Sequence, residues 1–434
     1  MDKTLNSELF RFIKNSPTAW HAAQSVADRL LEEGFTELYE SEEWKLSAPG
    51  KYFVRRGGSS IIAVRLPKRD FRGFMIMAGH GDSPCFKVKE LGTVPTVEAY
   101  TRLNTERYGG MILSSWLDRP LSVAGRLVLR ENGRIVTRLV DVGRDLLLIP
   151  NLAIHMDRAA NDGKGYNLNI DMQPLFGDAS AGNSLGKIVA EAAGVKEESI
   201  LDTELFLYPH MPGTQWGAAG EFISAPKLDD LQCVFGGLKG FLSATDGESA
   251  DVFCVFDNEE VGSMTKQGAG SGFLKDVLLR VSAALGRAAE ERRKDMASTL
   301  LVSMDNAHAV HPNHPEYADR RDRPEMNKGI VIKYNAVQRY ATSAVSAALF
   351  MEVCRRANVP IQRYTNRPDL MGGTTLGAII ASHMAVDTVD VGLAQLAMHS
   401  AYETAGALDT EYLMRASREF FSSNFRRSPE GMEI

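Results

Sequence analysis

Cysteine is scarce and unclustered in this sequence: Cys85, Cys233, Cys254 and Cys354 are the only four in 434 residues, and none forms a C-x-x-C pair. That excludes a disulfide scaffold and argues against a structural zinc knot. Three of the four sit in apolar surroundings, as reduced, buried thiols do. No run approaches the ~18 consecutive apolar residues of a membrane span. The amino-terminal MDKTLNSELFRFIKNSP lacks the uninterrupted apolar stretch of a secretory signal. Positive charge is not in excess either. Lys plus Arg total 49 against 55 Asp plus Glu, a net charge of −6, so a broad phosphate-binding surface is not expected. Internal repeats and low-complexity tracts are also missing. What remains, with 44% hydrophobic and 24% charged residues, is an ordinary globular chain long enough for two or three domains. Its expected location is the cytoplasm, with neither membrane nor nucleic acid as partner.

Residues 5–34 read as two amphipathic helices separated by Pro17 and ended by Gly34. Short strand-like runs follow at Lys51–Arg56, Ser60–Leu66 and Phe74–Ala78. The last, FMIMA, is apolar throughout, as in a strand buried on both faces. From about Leu91 to Phe222 the pattern changes to apolar/polar alternation, with a hairpin signal at Glu131-Asn132-Gly133 and a Gly/Asn/Asp-rich loop at Asn161–Asn169. This predicts a mostly β domain, 91–222, inserted into a catalytic body of 1–90 plus 223–434. Strands then alternate with helices: LDDLQCVFGGLKGFLSA, DVFCVFD, one long helix over Phe273–Met296, TLLVSMD and VSAALFMEVCRRAN. Such alternation predicts an α/β fold, a mixed, mostly parallel sheet flanked by helices. AIIASH and TVDVGL read as short apolar runs, and the final FRRSPEGMEI as a loosely ordered tail.

The acids and histidines fall where strands end. FMIMA runs into Gly79-His80-Gly81-Asp82, VFCVF into Asp257-Asn258-Glu259-Glu260, and TLLVSM into Asp305-Asn306-Ala307-His308. Asp229-Asp230 opens a helix, where Asp229 would also suit an N-cap, and His399 follows TVDVGL. Ligands of open α/β sheets bind outside the carboxyl ends of strands, so these segments converge on one cleft. Two imidazoles and several carboxylates suit Zn²⁺, Mn²⁺ or Co²⁺, and a bridging carboxylate would hold two such ions for hydrolysis. Gly79 and Gly81 are expected to permit a sharp turn beside His80. Asp82 is expected to accept a hydrogen bond from the His80 imidazole. Glu259 and Glu260, if extended, would face opposite ways and divide the roles of base and ligand.

Six blocks, AGHGDSPCFKVK, APKLDDL, FDNEEVGS, SMDNAHAVHPN, IKYNAVQRYAT and LAMHSAYETAG, together resemble the signature of the M18 metalloaminopeptidases, the aspartyl aminopeptidase family, over nearly the whole chain. The resemblance implies removal of amino-terminal residues from peptides, with His80 and Asp305 binding one metal, Glu260 and His399 a second, and Asp229 bridging them. It implies two zinc-type ions, Glu259 as general base and Asp82 orienting His80. It also implies a zinc-peptidase-like α/β fold whose inserted β domain serves dimerisation, and a homo-oligomer in which dimers build a tetrahedral dodecamer. His155 matches a position that completes a neighbouring subunit's site, and Lys333 one that faces the substrate. Relatives carry a cis peptide after the bridging Asp, placing one at Asp229–Asp230. Asp230 stands where many relatives have Asn, which leaves the bridge between Asp229 and Asp230 open, with Asp229 favoured.

First-residue preference divides the family between acidic and neutral, and Lys333 tilts this chain towards acidic by charge pairing. Another co-catalytic metal hydrolase, a carboxypeptidase or deacylase, would need an Arg clamp for a carboxylate, and none is tied to these motifs. An inactive binding or assembly protein would have lost a ligand or the base, yet all positions are filled. His308, His311 and His314 lie among Ala, Val, Pro and Asn, which predicts a loop and not a third metal site. GAGSG at 268–272 fails the G-x-G-x-x-G spacing and has no following Lys, against a phosphate loop.

Overall fold

The all-apolar runs form the middle of a nine-stranded sheet in a computed structural model that describes residues 3–97, 99–163 and 165–434. Ala250–Phe256, Phe74–His80, Leu300–Met304 and Asp387–Gly392 lie side by side and parallel. Gly50–Arg56 and Ser60–Leu66 flank them on one side, and Ile330–Tyr334 and Ile361–Thr365 on the other. Alternation explains why every residue of Phe74–His80 is buried. Met75 and Met77 enter one core with Leu9, Ala22, Phe253 and Phe420, while Phe74, Ile76 and Ala78 enter a second with Phe273, Val277 and Leu278. Helices Lys3–Lys14, Ala19–Glu32, Leu228–Ser243 and Asp409–Ser422 cover the first face. Phe273–Ala284 and Leu376–Met384 cover the second.

A six-stranded antiparallel sheet takes its strands from between Cys85 and Pro209 and has its own core around Phe86, Trp116, Leu127 and Leu205. Its hairpin joins Leu121–Glu131 to Arg134–Asp141 through Asn132 and Gly133, both at positive φ (51° and 76°), the geometry an Asn-Gly turn favours. Thr214–Trp216 and Phe222–Ala225 belong elsewhere. They pair with Glu403–Gly406, Ala394–Leu396 and Ala307–His308 in a five-stranded sheet. No helix among the described residues is long and apolar enough to cross a membrane.

Two local expectations are corrected, and one apolar run is placed. The single helix expected over Phe273–Met296 is two, Phe273–Ala284 and Ala289–Ala297, because Gly286 takes φ 72° between them. AIIASH lies within the helix Leu376–Met384. The tail expected to be loose is a hairpin of Arg426–Ser428 and Gly431–Glu433, anchored by Arg426 to Glu248 at 2.9 Å, by Arg427 to Asp387, and by buried Ile434.

Asp409 starts the last long helix fully buried and accepts hydrogen bonds from the backbone N–H groups of Asn327 (2.7 Å) and Gly329 (3.3 Å). Burial outweighs these bonds and pushes its carboxyl up to about 7, against about 3.9 for an unperturbed Asp. The folded chain therefore holds a proton that the unfolded chain releases between those values, and stability from this group falls as pH rises through the window. Comparing thermal unfolding of Asp409→Asn with wild type at pH 5 and pH 8 should show the difference in Tm moving in the variant's favour by roughly 2–5 °C. A difference independent of pH would remove Asp409 as the source.

Candidate metal centre

The three expected strand ends meet at one edge of the large sheet. Phe256 pairs with His80, so those two strands finish level, and Asp305 follows Met304 directly on the next strand. The five-stranded sheet closes over this edge and brings two further groups. Asp229 lies just beyond Phe222–Ala225, and His399 just beyond Ala394–Leu396. Asp229 and Asp230 have non-helical backbone (φ −82°, ψ 109° and φ −116°, ψ 17°), and the peptide between them is cis. Asp229 makes no side-chain cap.

Its carboxylate instead stands between the two imidazoles. His80 Nε2 is 3.6 Å from Asp229 Oδ1, and His399 Nε2 is 3.4 Å from Asp229 Oδ2 and 3.2 Å from Glu260 Oε2. Three sets of side chains each offer ligand atoms within 4.8 Å of one another: His80, Asp229 and Asp305; Asp229, Glu260 and His399; and His80, Glu259 and Glu260. The first two share Asp229. Asp229 Oδ1, Asp230 Oδ1 and Glu260 Oε1 are buried with no hydrogen-bond partner, as oxygens reserved for a cation would be. The donor set, imidazole and carboxylate without thiolate, fits a divalent metal.

The charges respond to one another. Although burial favours its neutral form, hydrogen bonds to Asp229 and Glu260 prevail and lift His399 to about 11. Burial pushes Glu260 up to about 7 against the pull of His399, and Asp305 up to about 6 against the Lys333 ammonium. Burial also favours protonated Asp229, but His399 and His80 hold it far below the usual carboxylate range. Protonated imidazoles thus supply the positive charge that this cluster of acids requires, and a bound metal would replace those protons.

Several supports differ from the sequence reading. Gly79 and Gly81 have no left-handed backbone. Gly79 is required because a Cβ there would lie 2.7 Å from Asp230 Oδ2. The nearest acceptor to His80 Nδ1 is the Asp82 carbonyl oxygen at 3.1 Å, with the Asp82 carboxylate at 3.4 Å. That carboxylate accepts the backbone N–H groups of Glu259 and Glu260, both at 3.1 Å, and the Tyr108 hydroxyl at 2.7 Å. Glu259 and Glu260 are not extended but open a 3₁₀ turn, Glu259–Val261, after Asn258 at φ 62°.

Sequence reasoning missed two residues. Glu403 is buried and spans two residues of the cluster, accepting the Asp229 N–H on Oε2 (2.9 Å) and the His399 N–H on Oε1 (2.7 Å). Tyr108 reaches in from the six-stranded sheet. The only available signal was the place of Glu403 inside LAMHSAYETAG; Tyr108 had none. Lys333 is buried, with Nζ 3.6 Å from Asp305 Oδ2 and 5.6 Å from the Tyr340 ring centre, and lines the cleft with Tyr340, Tyr364 and His308. His155 is not among the described cleft residues. It lies on an exposed connection between Arg134–Asp141 and Leu175–Asp178. His311 and His314 lie on exposed loop outside the three ligand sets.

Residues 12–421 match the family described as aminopeptidase I zinc metalloprotease (M18). A probable M18 family aminopeptidase 2 of Clostridium acetobutylicum is 42% identical over 423 residues, covering 96% of this chain and 98% of its own. Among solved structures, the Ape4 and Nbr1 complex contains a chain with TM-score 0.93 and 34% identity, covering 97% of this chain and 86% of that one. The S. cerevisiae mApe1 dodecamer gives TM-score 0.84 and 28% identity over 96% of this chain and 95% of that one.

Stripping metal with a chelator should expose the repulsion among these buried acids. At pH 8, returning zinc to chelated protein is expected to raise Tm by about 5 °C or more. An unchanged Tm would mean that the orphaned oxygens are satisfied without a cation.

Proposed function

Since this chain belongs to the M18 family of aminopeptidase I zinc metalloproteases, we propose that it removes single amino-terminal residues from peptides at the cleft built around Asp229. The observation that carries this reading is the Asp229 carboxylate, with one oxygen towards His80 and the other towards His399. In this reading His80 and Asp305 hold one divalent ion, Glu260 and His399 a second, and Asp229 bridges. Zinc is the expected metal, with Mn²⁺ or Co²⁺ as substitutes. Such ions, when bound, polarise a scissile carbonyl and acidify water.

The chain's own groups carry the proton. Glu259 takes it from the attacking water and returns it to the leaving amine. Asp82 positions Glu259 and Glu260 through their backbone N–H groups and holds His80 in orientation, while Glu403 fixes Asp229 and His399. The free amino group of the substrate lies by the acids of the Glu260 and His399 side, which restricts cleavage to the first residue. Lys333 faces that residue and favours acidic side chains, because its ammonium is buried where charge pairing is strong.

Assembly belongs to the same reading. Segment 91–222 acts as a dimerisation domain, and dimers build a tetrahedral dodecamer in which the partner's His155 completes the cleft. The dodecamer of mApe1 supports this, as do Leu152, Ile154, Met156 and Ile170, apolar side chains left exposed on the connection that carries His155. The working compartment is the cytoplasm.

Glu259→Gln should keep its metals by elemental analysis yet lose about 10²–10⁴ in kcat; retained turnover would take the base role from Glu259. With Asp-, Glu- and Leu-anilides, Lys333→Ala should lower the acidic-to-Leu ratio of kcat/KM by about tenfold, the loss of one partly desolvated charge pair. An unaltered ratio would exclude Lys333 from selecting the first residue.

A further inference from the structure

Tyr340, Tyr364 and Thr374 wall one side of the cleft. On the far side of the same three segments lies a groove of about 920 Å³, walled by Tyr334, Asn335, Arg339, Asn366, Arg367 and Gly372 among others. Neighbouring residues of each segment thus face the two spaces. Arg339 lines the groove and Tyr340 the cleft, Asn366 the groove and Tyr364 the cleft, and Gly372 the groove and Gly373 the cleft. Hydrogen bonds tie the wall together. Thr374 Oγ1 donates to the Arg339 carbonyl at 3.0 Å, Asn366 donates to the Tyr364 hydroxyl at 2.9 Å, and Asn335 donates to Asn366 at 3.2 Å.

Three arginines and two acids line the groove: Asp319, whose carboxylate accepts the backbone N–H groups of Arg321 and Asp322, and Asp369. The states of the arginines differ. Arg363 is spent on Asp322 (3.3 Å) and on the Tyr334 ring, 3.8 Å from its centre, and Arg367 on Asp369 (2.7 Å). Arg339 is half-buried and makes no ion pair among the described residues, although its charge is felt by the cleft residue Tyr340. A half-buried cation without a counter-ion, beside a space large enough for several residues, suits an incoming carboxylate.

We infer that this groove receives the part of the peptide downstream of the scissile bond, and that Arg339 selects acidic residues there. The inference rests on the aminopeptidase reading and adds to it a second specificity determinant, separate from Lys333 and the first residue. In this inference a chain held by its amino end in the cleft runs over the hydrogen-bonded Tyr340 and Thr374 wall, and its second to fourth residues lie along Arg339.

The test compares peptides with one common first residue followed by Glu-Glu-Glu or Gln-Gln-Gln. Wild-type, metal-loaded protein should favour the acidic tail in kcat/KM by about fivefold or more at low salt. Arg339→Ala should bring the ratio close to one, and Arg339→Lys should keep part of it. In parallel, fluorescence anisotropy with a dye-labelled, N-acetylated Glu-Glu-Glu peptide, which has no free amino group to be cleaved from, should show Kd rising at least about fivefold in Arg339→Ala. A wild-type ratio near one, a ratio and Kd unmoved by Arg339→Ala, or a change of oligomeric mass in that variant would overturn the inference, the last by making Arg339 an interface residue. If wild type cleaves neither peptide nor any aminoacyl anilide, the aminopeptidase reading fails, and the anisotropy alone then decides whether the groove binds acidic peptide.

Discussion

One buried carboxylate shared between two imidazoles sets the terms for the rest of the molecule. Asp229 is 3% exposed, and His80, Asp305, Glu260 and His399 offer ligand atoms within 4.8 Å of its own. At an effective dielectric of about 20, each pair of ionised carboxylates ~4 Å apart costs about 4 kcal/mol. Asp82, Asp229, Asp230, Glu259, Glu260 and Asp305 crowd one edge of the sheet, and His80, His399 and Lys333 are the cations among them. Protein cations alone balance such a cluster poorly. Divalent ions would balance it with two charges each, and the unpartnered oxygens of Asp229, Asp230 and Glu260 are donors suited to them.

Holding that cluster requires rigid backbone on several sides, and the fold supplies it from separate sheets. Parallel strands that end level deliver His80, the Glu259–Glu260 turn and Asp305 from one direction. The five-stranded sheet delivers Asp229 and His399 from another, and Glu403 on its own strand grips the backbone N–H groups of both. Glu403 thus adds a buried carboxylate clamp to two segments far apart in sequence that already meet through strand pairing and through the contact of Asp229 with His399. The six-stranded sheet contributes as well, because Tyr108 buttresses Asp82, which in turn sets the turn carrying Glu259 and Glu260. A change in the six-stranded sheet can therefore reach the acid cluster through a single hydroxyl.

How much of this was legible follows from the kind of signal each feature leaves. Strands buried on both faces are continuous apolar runs, and an acid or imidazole directly after such a run stands out, so the convergence of His80, Glu259, Glu260 and Asp305 could be read from order alone. Side chains that bond to backbone leave no pattern. Glu403 and Tyr108 look like ordinary residues until the N–H groups and the carboxylate they meet are placed. The Asp82 carboxylate, expected beside the nearest imidazole, lies 3.4 Å from His80 Nδ1 and also accepts two turn N–H groups 177 and 178 residues away, which no local pattern announces. Gly79 was read as permitting a sharp turn for the same reason. Its missing Cβ serves the approach of Asp230, a contact that exists only once the helix at Leu228 is packed. The tail was judged by its polarity, but two short strands and the partners Glu248 and Asp387 order it.

Lys333 shows how the proposed chemistry and the observed packing constrain each other. Its ammonium has three donors, and Asp305 at 3.6 Å engages it from one side while the Tyr340 ring face lies on another. Fully neutralised, it could not attract an acidic first residue; unpaired, it could not remain 3% exposed without a large loss of solvation. The separation from Asp305 lies between these limits, longer than a strong charge-assisted bond and close enough to stabilise the charge. If Asp305 is drawn towards a metal, its hold on the ammonium weakens, and the positive charge is turned towards the first-residue pocket. Metal occupancy and substrate charge would then be coupled through a single carboxylate. The acidic preference proposed for the cleft would accordingly be strongest when the centre is loaded, since a divalent ion then competes with the ammonium for Asp305.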